Sequence, residues 1–119
     1  FWLDIERLNR MRLAMSPRPQ VVILIDTERL LARHAERVTL TPINTGNARR
    51  QPAKRGQQTF VPYTTWCKTG WASESASLGT RPRPRSHQPV ELTVAYAVPD
   101  AMDFVVDVHH LKPDELLYL

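Results

Sequence analysis

Val38-Thr39-Leu40-Thr41-Pro42-Ile43-Asn44-Thr45-Gly46-Asn47-Ala48-Arg49 is the stretch where the character of the chain changes. Ahead of it runs an amphipathic pattern; after it the residues turn basic, then rich in Thr, Val and aromatics. Pro42 has no backbone N–H and pushes Thr41 out of the α region, so a helix arriving from the N-terminal side ends here. Gly46 offers a position with φ above zero, and Asn44 and Thr45 can bond the nearby backbone in Asx- or ST-turns. The stretch holds no nucleophile beside a base and no ligand cluster. It orders the chain and performs no chemistry of its own.

Working back from it, residues 19–40 read as the main amphipathic helix. Ile23, Leu24, Thr27, Leu30, Leu31, Ala35 and Val38 share one face at helical spacing, with Asp26, Arg29, Arg33, Glu36 and Arg37 opposite. His34 lies at the edge of the apolar face and reads as a boundary histidine. Residues 1–15 form a shorter helix on Ile5, Leu8, Met11 and Met15, ended by Ser16-Pro17-Arg18-Pro19.

Working forward, Arg49 to Gly56 is a basic turn or hairpin tip. Residues 57–68 suit a pleated surface and predict one or two strands interrupted by Pro62. Residues 70–88, dominated by Ser, Gly, Thr, Pro and Arg, predict a long exposed loop, with Arg81-Pro82-Arg83-Pro84-Arg85 as a stiff extended rod. Residues 90–96 alternate cleanly, with Val90, Leu92, Val94 and Tyr96 on one side. Residues 101–109 fit either period, and the acids after Pro99 tip them toward helix. Pro113-Asp114-Glu115 opens a short C-terminal helix. The expected fold is a single α+β domain over residues 1–119, with N-terminal amphipathic helices packed on a small, mostly antiparallel sheet.

The 119 residues carry 42% apolar and 24% charged side chains, close to globular averages. Ten prolines are too many for a compact helical bundle, and the single cysteine, Cys67, rules out an internal disulfide. No apolar run is long enough to cross a bilayer; Val21 to Ile25 is five residues. The chain opens on Phe1 with no initiator Met, which predicts further residues ahead of it. Net charge is uneven: residues 1–48 carry seven Arg against five acids, residues 49–85 eight Lys or Arg against Glu74 alone, and residues 86–119 Lys112 against six acids. A basic middle (Arg49, Arg50, Lys54, Arg55, Arg81, Arg83, Arg85) and an acidic end (Asp100, Asp103, Asp107) can neutralise each other within a subunit or between neighbours.

Catalytic chemistry has little to stand on. His109 and His110 are adjacent, so they point in different directions on a helix or a strand, with no His or Cys three or four positions away. There is no phosphate loop, nucleophile elbow or dinucleotide fingerprint. The sequence therefore predicts no enzyme, no metal and no cofactor. The basic segment near Trp66 and Trp71 could hold phosphates and stack bases, so the alternative is an RNA-associated structural protein such as an organellar ribosomal one.

The opening stretch also carries a resemblance. Thr41-Pro42-Ile43-Asn44-Thr45-Gly46-Asn47-Ala48-Arg49, behind an amphipathic helix, resembles the Thr-Pro-apolar-Asp-Thr-Gly-x-Leu-Arg signature of the tail-completion, neck (head-tail connector) and minor capsid proteins of tailed bacteriophages. Tyr96-Ala97 after a strand, Val108-His109-His110 and Leu117-Tyr118-Leu119 resemble that family's later segments. Asn44, Ala48 and His110 stand where it usually has Asp, Leu and Glu. The resemblance implies a non-enzymatic virion protein joining the portal side of the head to the tail, assembled in the host cytoplasm. It further implies identical subunits in a ring around the DNA channel, sixfold or alternatively twelvefold. The implied partners are neighbouring neck or tail-tube proteins and DNA in transit, with no membrane.

Overall fold

The computed structural model describes residues 1–15, 17–44 and 59–119. The chain is α+β, with four α-helices and two small antiparallel sheets among these residues. Helix α1 (Ile5–Ala14) starts where the Asp4 carboxylate accepts from the Arg7 N–H at 3.1 Å, an N-cap that satisfies an orphan donor.

The continuous helix expected over 19–40 is absent. The region folds as strand β1 (Gln20–Ile25), helix α2 (Thr27–His34), a 3-10 turn (Ala35–Arg37) and strand β2 (Val38–Thr41). Val21, Val22, Ile23 and Ile25 are β-branched and suit a pleated strand, and Asp26 caps a new helix by accepting from the Arg29 N–H at 3.0 Å. The helical stripe holds only where it is interrupted least, from Thr27 to Leu31.

Strand β3 (Val61–Pro62) is two residues long, and helix α3 (Tyr63–Thr69) replaces the strand expected through residue 68. Residues 57 and 58 of that expected strand lie outside the described residues. Pro62, at φ −53°, occupies the N-cap position of α3, so the proline read as a strand interruption is a helix start. The loop expected over 70–88 contains helix α4 (Ala72–Leu78), bounded by Gly70 and Gly79 with φ of 60° and 64°. Those angles are strained for any side chain, so two glycines punctuate what composition alone presents as a loop.

Strand β4 (Glu91–Val94) is shorter than its alternating pattern, because Tyr96 leaves the strand with φ 67° and its side chain stands in solvent. The segment tipped toward helix is a 3-10 turn (Ala101–Phe104) running into strand β5 (Val105–Leu111). Its valines win because β5 pairs with β1 along its whole length. Residues 113–119 form a turn and an irregular tail, with no helix.

Sheet one has the order β3-β2-β4, with Leu40 opposite both Val61 and Leu92. The N-terminal segment lengthens it, since the Leu92 N–H donates to the Phe1 carbonyl and the Leu3 N–H to the Val90 carbonyl. Sheet two is the antiparallel pair β1 and β5, with Val21 opposite His110 and Ile23 opposite Val108, and a register shift between Leu24 and Ile25. The core lies between sheet one, α2 and α3, built on Leu30, Val38, Leu40, Val61, Trp71, Leu92 and Phe104.

Candidate functional site

Alternation along β1 decides which of its residues are covered. Val21 and Ile23 are 55% and 52% exposed, while Val22 and Leu24 on the other face are partly buried. On β5 the partner of Ile23, Val108, is 44% exposed, and Val106 is exposed as well. Sheet two therefore presents a branched aliphatic face to solvent. A groove of about 590 Å³ runs beside it, walled by Val21, Ile23 and Val105 of the sheet, Leu8 of α1, Met102 and Leu119. Isolated exposed aliphatics are ordinary, whereas a contiguous exposed face beside a groove makes this sheet the candidate site. The two strands also leave both outer edges of the sheet without a strand partner among the described residues, and edges of this kind accept further strands.

A polar cluster joins α2 to the turn after β4. Arg33 Nη1 donates to Asp100 at 3.0 Å and to Asp103 at 2.9 Å. The Arg33 guanidinium holds the Asp100 carboxyl below the ordinary carboxylate range, and the two carboxylates raise the Arg33 pKa in turn. His34 Nε2 sits 2.9 Å from Asp100 Oδ1, and Phe104 packs edge-on to its ring at 5.8 Å between centroids. Among the described residues the hydrogen-bond partners of this histidine are Asp100 and Arg37.

Several of the charges read as able to neutralise each other within a subunit or between neighbours have partners within the subunit. Asp100 and Asp103 are paired with Arg33, and Asp107 Oδ1 accepts from the Val108 N–H at 2.8 Å. Arg83 lies 3.4 Å from the buried carboxylate of Glu74. Arg85 donates to the Cys67 carbonyl at 3.0 Å and stands over the Trp66 ring. Of the Arg-Pro rod only Arg81 has no partner among the described residues. Arg49, Arg50, Lys54 and Arg55 lie outside the described residues, as do Thr45 and Gly46.

The remaining motif positions do structural work or sit at the surface. Thr41 is fully buried, its hydroxyl donating to the Ile43 carbonyl at 2.9 Å, and the Pro42 carbonyl accepts from His87 Nε2 at 2.8 Å. Tyr96 is exposed in a turn and the Ala97 carbonyl accepts from Arg37. Val108 belongs to the aliphatic face. His109 Nε2 lies 3.2 Å from Asp107 without the alignment of a hydrogen bond. Tyr118 and Leu119 are exposed in the tail. Among the described residues no three His, Cys, Asp or Glu side chains gather where they could hold a metal, and no helix is long and apolar enough to cross a membrane.

Sequence reading missed the anchor of the C-terminal tail. Asn9 exchanges two hydrogen bonds of 2.9 Å with the backbone of Leu117, and the guanidinium of Arg12 reaches the carbonyls of Glu115 and Lys112. These partners are backbone atoms about a hundred residues away, so no local pattern reveals them.

The fold and face define a small α+β domain with a two-stranded sheet whose edges have no strand partner among the described residues. The chain belongs to a family of unknown function, DUF7002, whose model matches residues 1–105. No curated protein and no solved structure matches it.

Proposed function

We propose that this chain is a non-enzymatic structural subunit that associates with copies of itself through the aliphatic face and edges of β1 and β5. The bacteriophage neck or tail-completion ring is the assembly that the sequence resemblance offers for it. The observation that carries the reading is the exposure of Val21, Ile23 and Val108 on a two-stranded sheet whose edges have no strand partner among the described residues. A sheet of two strands is marginal alone; a further strand along either edge would widen it, and packing of a second copy on the aliphatic face would take that face out of water. Pairing of β1 in one copy with β5 in the next is head-to-tail and closes into a ring when the rotation allows.

Support for the phage form is confined to sequence motifs at Thr41 to Arg49, Tyr96-Ala97, Val108-His109 and Tyr118-Leu119. The long helix that preceded the first of them in the resemblance is replaced by β1, α2 and β2. The internal pairing of Asp100, Asp103, Arg83 and Arg85 moves the expected contact from charge to apolar burial.

Sedimentation at rising protein concentration, in low and in high salt, with negative-stain imaging, tests the proposal. Association that survives high salt, rings in the images and a monomeric Ile23→Asp variant are expected, because apolar contact is not screened. A wild-type protein that stays monomeric at every concentration overturns the proposal.

A further inference from the structure

His34 sits where the direction of two hydrogen bonds fixes its protonation. Its Nε2 lies 2.9 and 3.0 Å from the two oxygens of the Asp100 carboxylate, which only accepts, so Nε2 carries a proton. Its Nδ1 lies 2.7 Å from Arg37 Nη2, which only donates, so Nδ1 carries none. The ring is neutral, in the Nε2–H form.

The same guanidinium closes the turn after β4. Arg37 Nη1 donates to the carbonyls of Ala95 at 2.7 Å and Ala97 at 2.9 Å, while the Ala95 N–H donates back to the Arg37 carbonyl at 2.9 Å. Between those alanines Tyr96 holds φ at 67°, a conformation that is costly for a side chain, and its own side chain packs on nothing. The turn is held by Arg37, and Arg37 is oriented by His34.

We propose that His34 is a proton-operated latch on the Ala95–Val98 turn. Uptake of one proton from solvent places an N–H on Nδ1, facing a guanidinium that can only donate. The hydrogen bond between them is lost, and two positive charges then stand in contact. The ring is held on its other side by Asp100, so Arg37 is the group that leaves.

Every charged neighbour of the ring enters this balance. Asp100 and Arg37 touch it directly, Arg33 and Asp103 stand behind Asp100, and Phe104 offers an uncharged ring. The two carboxylates and two guanidiniums balance while the imidazole is neutral, so its proton is a surplus charge. With Arg37 withdrawn, the carbonyls of Ala95 and Ala97 lose their donor and Tyr96 relaxes from its positive φ. The turn then opens at the end of β4, changing the surface there once the ring is protonated while β1 and β5 stay paired.

Nuclear magnetic resonance tests this on the whole chain. At neutral pH the imidazole nitrogen shifts of His34 are expected to report the Nε2–H form. On titration from neutral pH into acid, protection of the Ala95 and Ala97 amides from exchange, corrected for intrinsic rate, should fall at least tenfold in step with the His34 ring. The amides between β1 and β5 should hold. A His34→Gln variant, which can accept from Arg37 and donate to Asp100 without charging, should keep both amides protected throughout. The proposal is overturned by a ring that titrates while those amides stay protected, by an Nδ1–H form at neutral pH, or by the same acid response in a folded His34→Gln protein. Should that variant not fold, the wild-type titration decides alone.

Discussion

Arg12 Nη1 donates to the carbonyl of Glu115 at 2.6 Å, tying the first helix to a segment 103 residues later in the chain. The same guanidinium reaches Gln20 Oε1 at 2.8 Å and the Lys112 carbonyl at 3.3 Å, and the residue is only 4% exposed. An arginine is seldom buried without an acid beside it, and here a planar fork of donors serves three oxygens on two further segments.

Replacing Arg12 by Leu keeps the apolar stem but leaves those oxygens without a donor. A loss of about 1–3 kcal/mol in chemical denaturation is expected, the cost of unsatisfied buried acceptors. Arg12→Lys should recover only part of it, since an ammonium cannot span the fork. Full stability in Arg12→Leu would show that the tail is held by other contacts.

Glu74 is 2% exposed while its partner Arg83 keeps about a third of its side chain in solvent. Removing the arginine strands a buried carboxylate, whereas removing the carboxylate releases Arg83 to water. Arg83→Ala should therefore destabilise more than Glu74→Gln, by roughly 2 kcal/mol or more, because breaking a buried pair costs ~3–5 kcal/mol from the side left uncompensated. Thermal melts of the two variants give the order, and a reversed order would place the Glu74 charge in contact with water.

The depressed Asp100 pKa has a defined consequence in acid. Its cause is first the Arg33 hydrogen bond, then His34, against the opposing effect of desolvation. A carboxylate with its folded value lowered adds stability that is complete above the unfolded value of about 3.9 and is lost as pH falls through the folded value. Stability of the wild type should therefore drop below about pH 4 more steeply than that of Asp100→Asn. Parallel denaturation curves for the two proteins between about pH 2 and pH 5 would remove Asp100 from the acid response.

Val21 and Ile23 face solvent, so Thr at both positions keeps the β-branched shape and changes only the surface. Monomer stability should move by no more than about 0.5 kcal/mol. Binding of a hydrophobic fluorescent dye should fall, and so should self-association. Loss of several kcal/mol instead would mean that these side chains are core residues of the folded subunit.

The parts of the fold legible in the sequence are those governed by neighbours along the chain. The α+β class, the short first helix and the strand at Glu91–Val94 follow from periodicity, whereas the element that stops before Pro42 is strand β2 and not the expected helix. Residues 20–25 were not legible in the same way, since Ile23 and Leu24 extend the stripe of Leu30 and Leu31 and satisfy helical spacing. The boundary is a single caps-and-branching detail, Asp26 following four β-branched residues. Of the aliphatic face and its groove, the sequence marks only Val108 and Leu119, both as motif positions. The exposure of Val108 depends on which face of β5 meets the body of the protein.

The sequence by itself determined the local stops, caps and residue preferences, because these act over three or four positions. Only the tertiary structure decided that Val105–Leu111 is a strand, since it needs β1 as a partner some eighty residues earlier. It alone decided that Arg33 takes up Asp100 and Asp103, that Arg12 holds the tail, and that His34 is set between a carboxylate and a guanidinium. Hydrogen bonds and ion pairs act over about 3 Å in space whatever their separation in sequence, so their partners emerge only when the chain has closed on itself.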